Sequence, residues 1–313
     1  MMEFHHVSVL ARECIEALAP ERGGIYVDCT AGGGGHSSLI AAALPPEGRL
    51  IALDRDDEAL AACRKRLAPF GDRVTLVKTN YSAVGDVLDS LGIDKIDGVL
   101  WDLGVSSHQL DDADRGFSYM TEAPLDMRMD QCAAKTAESV VNGYEEGALC
   151  RILWDYGEEK FAPRIAAAIV RARAENPIKT TTELASIIAN AIPAAARRKE
   201  QQHPAKRSFQ AIRIEVNGEL DAIAPSIEAA IRHLKPGGRA AVITFHSLED
   251  RIVKQTFASL ATGCTCPPDF PVCVCGKKPI IELMNRKPIL PSEDELAENP
   301  RAHSAKLRCA VKL

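Results

Sequence analysis

The chain has no long hydrophobic run and no secretory signal at its start. Its longest apolar segments, such as Leu39–Leu44, are far shorter than the roughly 20 residues of a membrane-spanning helix. The first residues, Met1–His6, lack the basic and apolar regions of a signal peptide. The sequence also lacks internal repeats and long low-complexity tracts. We therefore expect a soluble cytoplasmic enzyme with no membrane partner.

The chain also lacks the positive excess of a simple nucleic-acid binder, because its net charge is −5. The distribution of charge is more informative than the sum. The stretch Arg197–Arg213 holds six Lys or Arg residues against one Glu, which is suited to phosphate contacts. A solvated helix face is the alternative interpretation. Further cations lie toward the C-terminus: Lys277, Lys278, Arg286, Lys287, Arg301, Lys306 and Arg308.

Ten cysteines without a secretory signal favour thiols or metal ligands over a disulfide framework. Four of them form a C-x-C-x6-C-x-C array in a Pro-rich loop: Cys264, Cys266, Cys273 and Cys275. Four thiolates bind zinc tetrahedrally and staple a loop that has little core. The C-x-C spacing is tighter than the usual C-x-x-C pair, so structural zinc and unligated thiols both stay open. Neither interpretation makes the array catalytic.

What the chain does contain is a regular alternation of apolar runs and helical periodicity, which predicts an α/β fold with a parallel sheet. Predicted strands lie near residues 25–29, 49–53, 74–77, 98–103 and 239–245. The long segment between the fourth and the fifth predicted strands has largely helical periodicity. We therefore predict a Rossmann-like sheet formed by residues 1–106 and 208–313. We expect residues 107–207 to form an inserted helical domain for substrate recognition.

The first two strands carry the clearest functional pattern. The first ends at Asp28 and is followed by the glycines Gly32–Gly34, and the second ends at Asp54. Glycines let the backbone turn sharply and approach a ligand. An acid at the end of the second strand is placed to bind ribose hydroxyls. A pyrophosphate would be repelled by Asp28, whereas the cationic methionine end of S-adenosylmethionine would be attracted. The pattern resembles the first motif of Rossmann-like methyltransferases, and the resemblance implies a Rossmann-like class I methyltransferase sheet.

Further motifs extend the resemblance from His5 to the end of the chain, and they occur in one order. They are Gly34–Ser37, Asp102–Ser107, Gln109–Asp111, Arg115–Ser118, Pro124–Met129, His203–Arg207, Phe209–Arg213 and Ser247–Arg251. Together they resemble the RsmH (MraW) family of bacterial 16S rRNA cytosine-N4 methyltransferases.

The resemblance implies S-adenosylmethionine-dependent methylation of a decoding-centre (P-site) cytidine in the 16S rRNA of the small ribosomal subunit. No obligate protein partner is expected. The family's cofactor contacts would fall on Gly34, Gly35, His36, Asp54, Tyr81, Asp102 and Gln109. A Tyr81 ring after the third strand is suited to packing against adenine, and His36 is given no role in proton transfer.

Asp102 is the leading candidate for the chemistry. The cytosine amine is a poor nucleophile because its lone pair is delocalised, so an acceptor must orient its N–H groups. Asp102 either orients this amine or only binds the cofactor, and Asp126 is the alternative acceptor. A target base in structured RNA must be splayed out, and Phe117 and Tyr119 either stack on it or pack the insertion.

Three other functions fit parts of the sequence. A non-catalytic ribosome-assembly factor would bind RNA without methyl transfer, and a small-molecule methyltransferase would leave the basic stretch unexplained. An NAD-dependent oxidoreductase would need a hydride-transfer site, which the sequence does not offer.

Overall fold

A computed structural model describes residues 8–198, 202–264, 266 and 275–313. The sequence prediction for Cys273, like those for Lys199 and Glu200, lies outside these residues. Within them, no helix is both long enough and apolar enough to cross a membrane.

The described chain contains seven strands and fourteen α-helices. The strands are β1 (Ile25–Asp28), β2 (Arg49–Asp54), β3 (Val74–Lys78), β4 (Ile96–Asp102), β5 (Leu234–Thr244), β6 (Ile281–Leu283) and β7 (Lys306–Lys312). The helices are α1 (Ala11–Leu18), α2 (Gly35–Ala43), α3 (Asp57–Leu67), α4 (Val84–Ser90), α5 (Ser107–Asp111), α6 (Ala137–Gly143), α7 (Glu146–Asp155), α8 (Ala162–Glu175), α9 (Thr181–Ala191), α10 (Ala194–Arg197), α11 (Lys206–Asn217), α12 (Ile223–His233), α13 (Ser247–Ala261) and α14 (Glu293–Glu298).

The strands form one sheet in the order β3-β2-β1-β4-β5-β7-β6. The first five strands are parallel, and β7 runs antiparallel to both β5 and β6. This antiparallel edge differs from the dinucleotide-binding order 3-2-1-4-5-6, in which every strand is parallel. The predicted α/β class with a Rossmann-like parallel sheet is confirmed.

The chain divides into two compact units. The first consists of residues 1–104 and 220–313, and it contains the whole sheet. Its central strands are buried and rich in Val, Ile and Leu, as expected for a parallel sheet that is covered by helices on both faces.

The second unit is the continuous segment 105–219, with α5–α11 and its own apolar core. The sequence prediction put the end of the insertion at residue 207. The compact unit instead extends to Glu219, because α11 packs Phe209, Ile212 and Val216 into this core.

Candidate active site

The loop between β1 and α2 is shaped by its glycines. Gly34 caps α2 with a φ of 80°, in the left-handed region that favours glycine. A Cβ at Gly34 would also lie 3.2 Å from the sulfur of Cys63. At Gly35, a Cβ would overlap the hydroxyl of Ser8. A side chain at either position would therefore displace the loop or its neighbours.

Asp28 lies beneath this loop and is fully buried. One carboxylate oxygen accepts a 2.6 Å hydrogen bond from the Ser37 hydroxyl, and the other accepts from the Thr30 N–H at 3.1 Å. Burial raises the pKa of Asp28. The sequence argument gave this carboxylate the role of attracting a cationic ligand. Its contacts instead make it an internal anchor of the loop.

Asp54, at the end of β2, is joined directly to the glycine loop. Its two oxygens accept backbone N–H groups from Gly32 at 2.7 Å and from Asp56 at 2.9 Å. Burial raises the pKa of Asp54. Each carboxylate oxygen has a second lone pair. Asp54 can therefore hold the loop and still accept hydrogen bonds from a ribose diol.

Asp102, at the end of β4, lies beside a buried histidine. Its Oδ2 is 3.4 Å from Nδ1 of His36, and Nε2 of His36 is 2.9 Å from the carbonyl oxygen of Val9. Both ring nitrogens thus face oxygen acceptors, which is the arrangement of a protonated imidazolium. Burial alone would lower the pKa of His36, but the interactions with Asp102 and Cys14 together outweigh it and raise the pKa well above its usual value.

The other oxygen of Asp102, Oδ1, is buried and finds no hydrogen-bond partner within the described part of the chain. The backbone N–H of Asp102 is fixed by a 2.6 Å hydrogen bond to the hydroxyl of Thr30. Buried acceptors are rarely left without a donor, and an unfilled one calls for a ligand or an ordered water. The position of Oδ1, at the carboxyl end of β4, is where open α/β sheets bind their ligands.

Tyr81 begins the short 3-10 helix Tyr81–Ala83 after β3. The indole N–H of Trp101 donates to the Ser226 hydroxyl at 2.8 Å, and that hydroxyl donates to the carbonyl of Tyr81 at 2.9 Å. The half-buried Tyr81 ring packs against the apolar cluster on this face of the sheet. Sequence reasoning did not identify Trp101 or Ser226, because neither lies in a recognisable motif.

His246 and Glu249 follow β5, the strand next to β4. Glu249 is 1% exposed, and one of its oxygens accepts the backbone N–H groups of Phe245 at 2.7 Å and His246 at 3.2 Å. The other oxygen is 3.1 Å from Nε2 of His246. The Ser247–Arg251 motif pointed to this segment, but the sequence assigned no role to it.

Gln109 belongs to the second unit, where it is buried in the first turn of α5. Its Oε1 accepts the Ser106 N–H at 3.0 Å, and its own N–H donates to the Ser106 hydroxyl at 3.2 Å. This reciprocal pair is a capping box, which satisfies two backbone donors at the start of a helix.

The site residues of the first unit lie at or directly after the carboxyl ends of β1–β4.

Asp126, the alternative acceptor, is held by Arg128 of the second unit. The guanidinium donates to both carboxylate oxygens, at 2.9 Å from Nε and 2.6 Å from Nη2. Burial alone would raise the pKa of Asp126, but the hydrogen bonds from Arg128 outweigh it and lower the pKa. A carboxylate so engaged is a poor proton acceptor, which leaves Asp102 as the better candidate.

The two aromatic candidates of the second unit differ in their surroundings. Phe117 is buried in the core, with the Arg115 guanidinium 5.9 Å from its ring centroid. Tyr119 is half-buried and stacks on the ring of His203, with the centroids 4.6 Å apart. Phe117 is therefore a packing residue, and Tyr119 is the aromatic closer to solvent.

The basic stretch is not uniform. Arg213 makes two 2.9 Å hydrogen bonds to the carboxylate of Glu219, and both side chains are mostly buried. Its predicted role in phosphate binding is therefore wrong, because the guanidinium is already occupied. Arg198 and Lys206 are exposed.

Comparisons with known proteins show the family of the chain. A sequence model of the MraW methylase family matches residues 3–313. A protein of Symbiobacterium thermophilum named ribosomal RNA small subunit methyltransferase H is 60% identical over 312 residues, covering 100% of this chain and 98% of that protein. The protein of the same name from Brevibacillus brevis is 57% identical and covers 100% of this chain and 99% of its own. A solved rRNA methylase from Streptococcus thermophilus has a TM-score of 0.42 at 12% identity, covering 97% of this chain and 93% of its own, which is too distant to support an argument.

Proposed function

Since the chain belongs to the MraW methylase family, we propose that it transfers a methyl group from S-adenosylmethionine to rRNA of the small ribosomal subunit. The target atom is N4 of a decoding-centre (P-site) cytidine in 16S rRNA. The observation that supports this proposal most directly is the match to the MraW methylase family over residues 3–313. Relatives at 57% and 60% identity are named ribosomal RNA small subunit methyltransferase H. Such a reaction makes the protein a cytoplasmic rRNA (cytosine-N4-)-methyltransferase.

The residues at the carboxyl ends of β1–β4 fit S-adenosylmethionine. Asp54 would accept the ribose hydroxyls while it holds the N–H of Gly32. The Tyr81 ring would pack against adenine, and the backbone at Gly34 and Gly35 would allow close approach of the methionine end. When bound, the cofactor supplies an electrophilic methyl group on a sulfonium.

Asp102 would act on the target amine. Its Oδ1 would accept one N–H of the exocyclic amine, which turns the nitrogen lone pair toward the methyl group. The bound cofactor would supply the methyl group to N4 and keep the electron pair of the former carbon–sulfur bond, while Asp102 would hold the amine in the orientation that this transfer needs. The N4 proton becomes acidic and passes to Oδ1. The imidazolium of His36 holds Oδ2 and keeps the carboxylate in one orientation.

The second unit would bind the rRNA. Its exposed cations Arg198 and Lys206 are suited to phosphate oxygens. Tyr119, stacked on His203, offers an aromatic pair to an unstacked base. The net charge of −5 makes this local arrangement more important than the overall charge.

The test is methyl transfer from labelled S-adenosylmethionine to small subunits that lack the modification, followed by nucleoside mass spectrometry. Naked rRNA and already modified subunits run in parallel. The expected product is N4-methylcytidine at one position. Label on another atom would reject the target assignment. No transfer despite measured cofactor binding would favour the non-catalytic RNA binder, and transfer only to small molecules would favour the small-molecule methyltransferase.

A further inference from the structure

Three cysteines of the first unit bring their sulfurs together outside the candidate active site. The ligand atoms of Cys264, Cys266 and Cys275 all lie within 4.8 Å of one another. Cys264 and Cys275 are 3.7 Å apart at sulfur. A disulfide has its sulfurs about 2.0 Å apart, so this pair is not a disulfide.

The 3.7 Å separation has a simple geometric meaning. With zinc–sulfur bonds of about 2.3 Å, two corners of a tetrahedron lie about 3.8 Å apart. Three thiols at mutual distances up to 4.8 Å can therefore bind one ion after small side-chain rotations. Soft thiolate ligands select zinc over magnesium or calcium.

The surrounding chain gives such an ion a structural purpose. Cys264 follows the end of α13, and Cys275 precedes β6. The loop between these two elements is closed at its base, where the N–H of Ile280 donates to the carbonyl of Leu260 at 2.8 Å. Residues 275–280 are all exposed, so this limb of the loop has no apolar core. A loop without a core needs a cross-link to hold one conformation.

We propose that Cys264, Cys266 and Cys275 are ligands of a structural zinc ion that fastens this loop to the end of α13. The sequence prediction for the fourth ligand is Cys273, which lies outside the described residues. Zinc sites rich in thiolate ligands are typically structural, so we assign the ion to holding the loop and give it no part in methyl transfer. The proposal does not depend on the proposed function.

The first experiment measures metal in the full-length protein, purified under reducing conditions without chelators. We expect about one zinc per chain by mass spectrometry. Replacement of zinc by cobalt is expected to give the visible absorption of tetrahedral thiolate-bound Co²⁺. Both measurements use the wild-type chain, so they do not depend on the folding of any variant. Zinc well below one per chain, iron in its place, or an octahedral cobalt spectrum would overturn the proposal.

The second experiment compares variants. Cys264→Ser and Cys275→Ser are each expected to weaken zinc binding by roughly tenfold or more in competition with a chromogenic chelator. Cys132→Ser is the matched control, because Cys132 is also exposed but lies in the second unit. It is expected to bind zinc as the wild type does. Unchanged affinity in both cluster variants would contradict the assignment.

Discussion

At the scale of single residues, Asp102 is the position on which the proposed chemistry depends. Asp102→Asn keeps the shape of the side chain but removes its charge and its ability to take a proton. We expect methyl transfer to fall by about 10²-fold or more at saturating cofactor. Asp94→Asn, at an exposed position of the same unit, is the control. If Asp102→Asn transfers the methyl group at the wild-type rate in single-turnover assays, Asp102 has no role in the mechanism.

Asp54 combines two roles, and one substitution removes both, each with its own measurement. Asp54→Ala removes the ribose acceptor, so we expect at least a roughly tenfold weaker cofactor affinity by calorimetry. It also leaves the N–H groups of Gly32 and Asp56 without their acceptor, which should lower the free energy of unfolding by about 1–3 kcal/mol. Asp57→Ala, which removes an exposed carboxylate paired with Lys78, should change neither quantity appreciably. Unchanged affinity in Asp54→Ala would reject the ribose role.

The pair between His36 and Asp102 predicts a pH dependence. A histidine whose pKa is raised on folding stabilises the folded state fully below its unfolded pKa of about 6.5. That stabilisation is lost as the pH rises through the raised pKa of the folded state. The difference in unfolding free energy between wild type and His36→Asn should therefore shrink as the pH increases above about 6.5. Denaturant unfolding at a series of pH values measures it, and a difference that grows with pH would contradict the imidazolium.

At the scale of elements, the end of α11 is fixed by an ion pair. Arg213→Ala leaves the carboxylate of Glu219 buried without its partner, and we expect a loss of about 3–5 kcal/mol in unfolding free energy. The exposed pair Arg12–Glu16 is the comparison, and Arg12→Ala should leave the unfolding free energy nearly unchanged. Equal effects in chemical denaturation would show that burial of the Arg213 pair is unimportant.

The exposed cations Arg198 and Lys206 are expected to affect rRNA binding rather than stability. Arg198→Glu combined with Lys206→Glu is expected to weaken rRNA binding and to reduce its salt dependence, while cofactor affinity stays unchanged. Arg64→Glu combined with Lys65→Glu, two basic residues exposed on α3 of the first unit, is a charge-matched control. If the Arg198 and Lys206 double variant has the same rRNA affinity and the same salt dependence as the wild type, the basic stretch does not bind phosphate and is a solvated helix face.

The strands show which parts of the fold could be predicted from the sequence. The predicted strands near residues 25–29, 49–53 and 74–77 appear as β1, β2 and β3, because each is a compact apolar run. β5 was predicted from residue 239 but begins at Leu234, which pairs with Ile96 across an irregularity in register. β6 and β7 were not predicted, since β6 has three residues and β7 begins and ends with charged residues.

The site was predictable where the backbone dictates the residue type. The glycines after β1 and the acid after β2 follow from the spacing of a nucleoside-binding unit. The hydrogen bond between Asp54 and Gly32 did not follow, nor did the burial of Asp28, because both depend on how the loop folds in three dimensions. The partnership of His36 with Asp102 is likewise invisible in sequence, as the two lie far apart along the chain.

At the scale of the whole molecule, the second unit has a complete core within one continuous segment. We expect residues 105–219, expressed alone, to be helical and to unfold cooperatively. The fragment 1–104 is the contrast, because its β4 would lack the neighbour β5 and would expose apolar surface. Circular dichroism during thermal unfolding measures both. A non-cooperative transition in the 105–219 fragment would contradict its independence.

The chain leaves the first unit after Gly104 and returns to it at Leu220, so only two peptide bonds join the two units. The coding sequence of the second unit is therefore one continuous block. Recombination at those two points exchanges one continuous block of coding sequence and leaves every strand of the sheet intact. On the proposed division of roles, such an exchange would change which RNA is recognised and keep the methyl-transfer chemistry. The fold therefore allows target choice and chemistry to evolve separately.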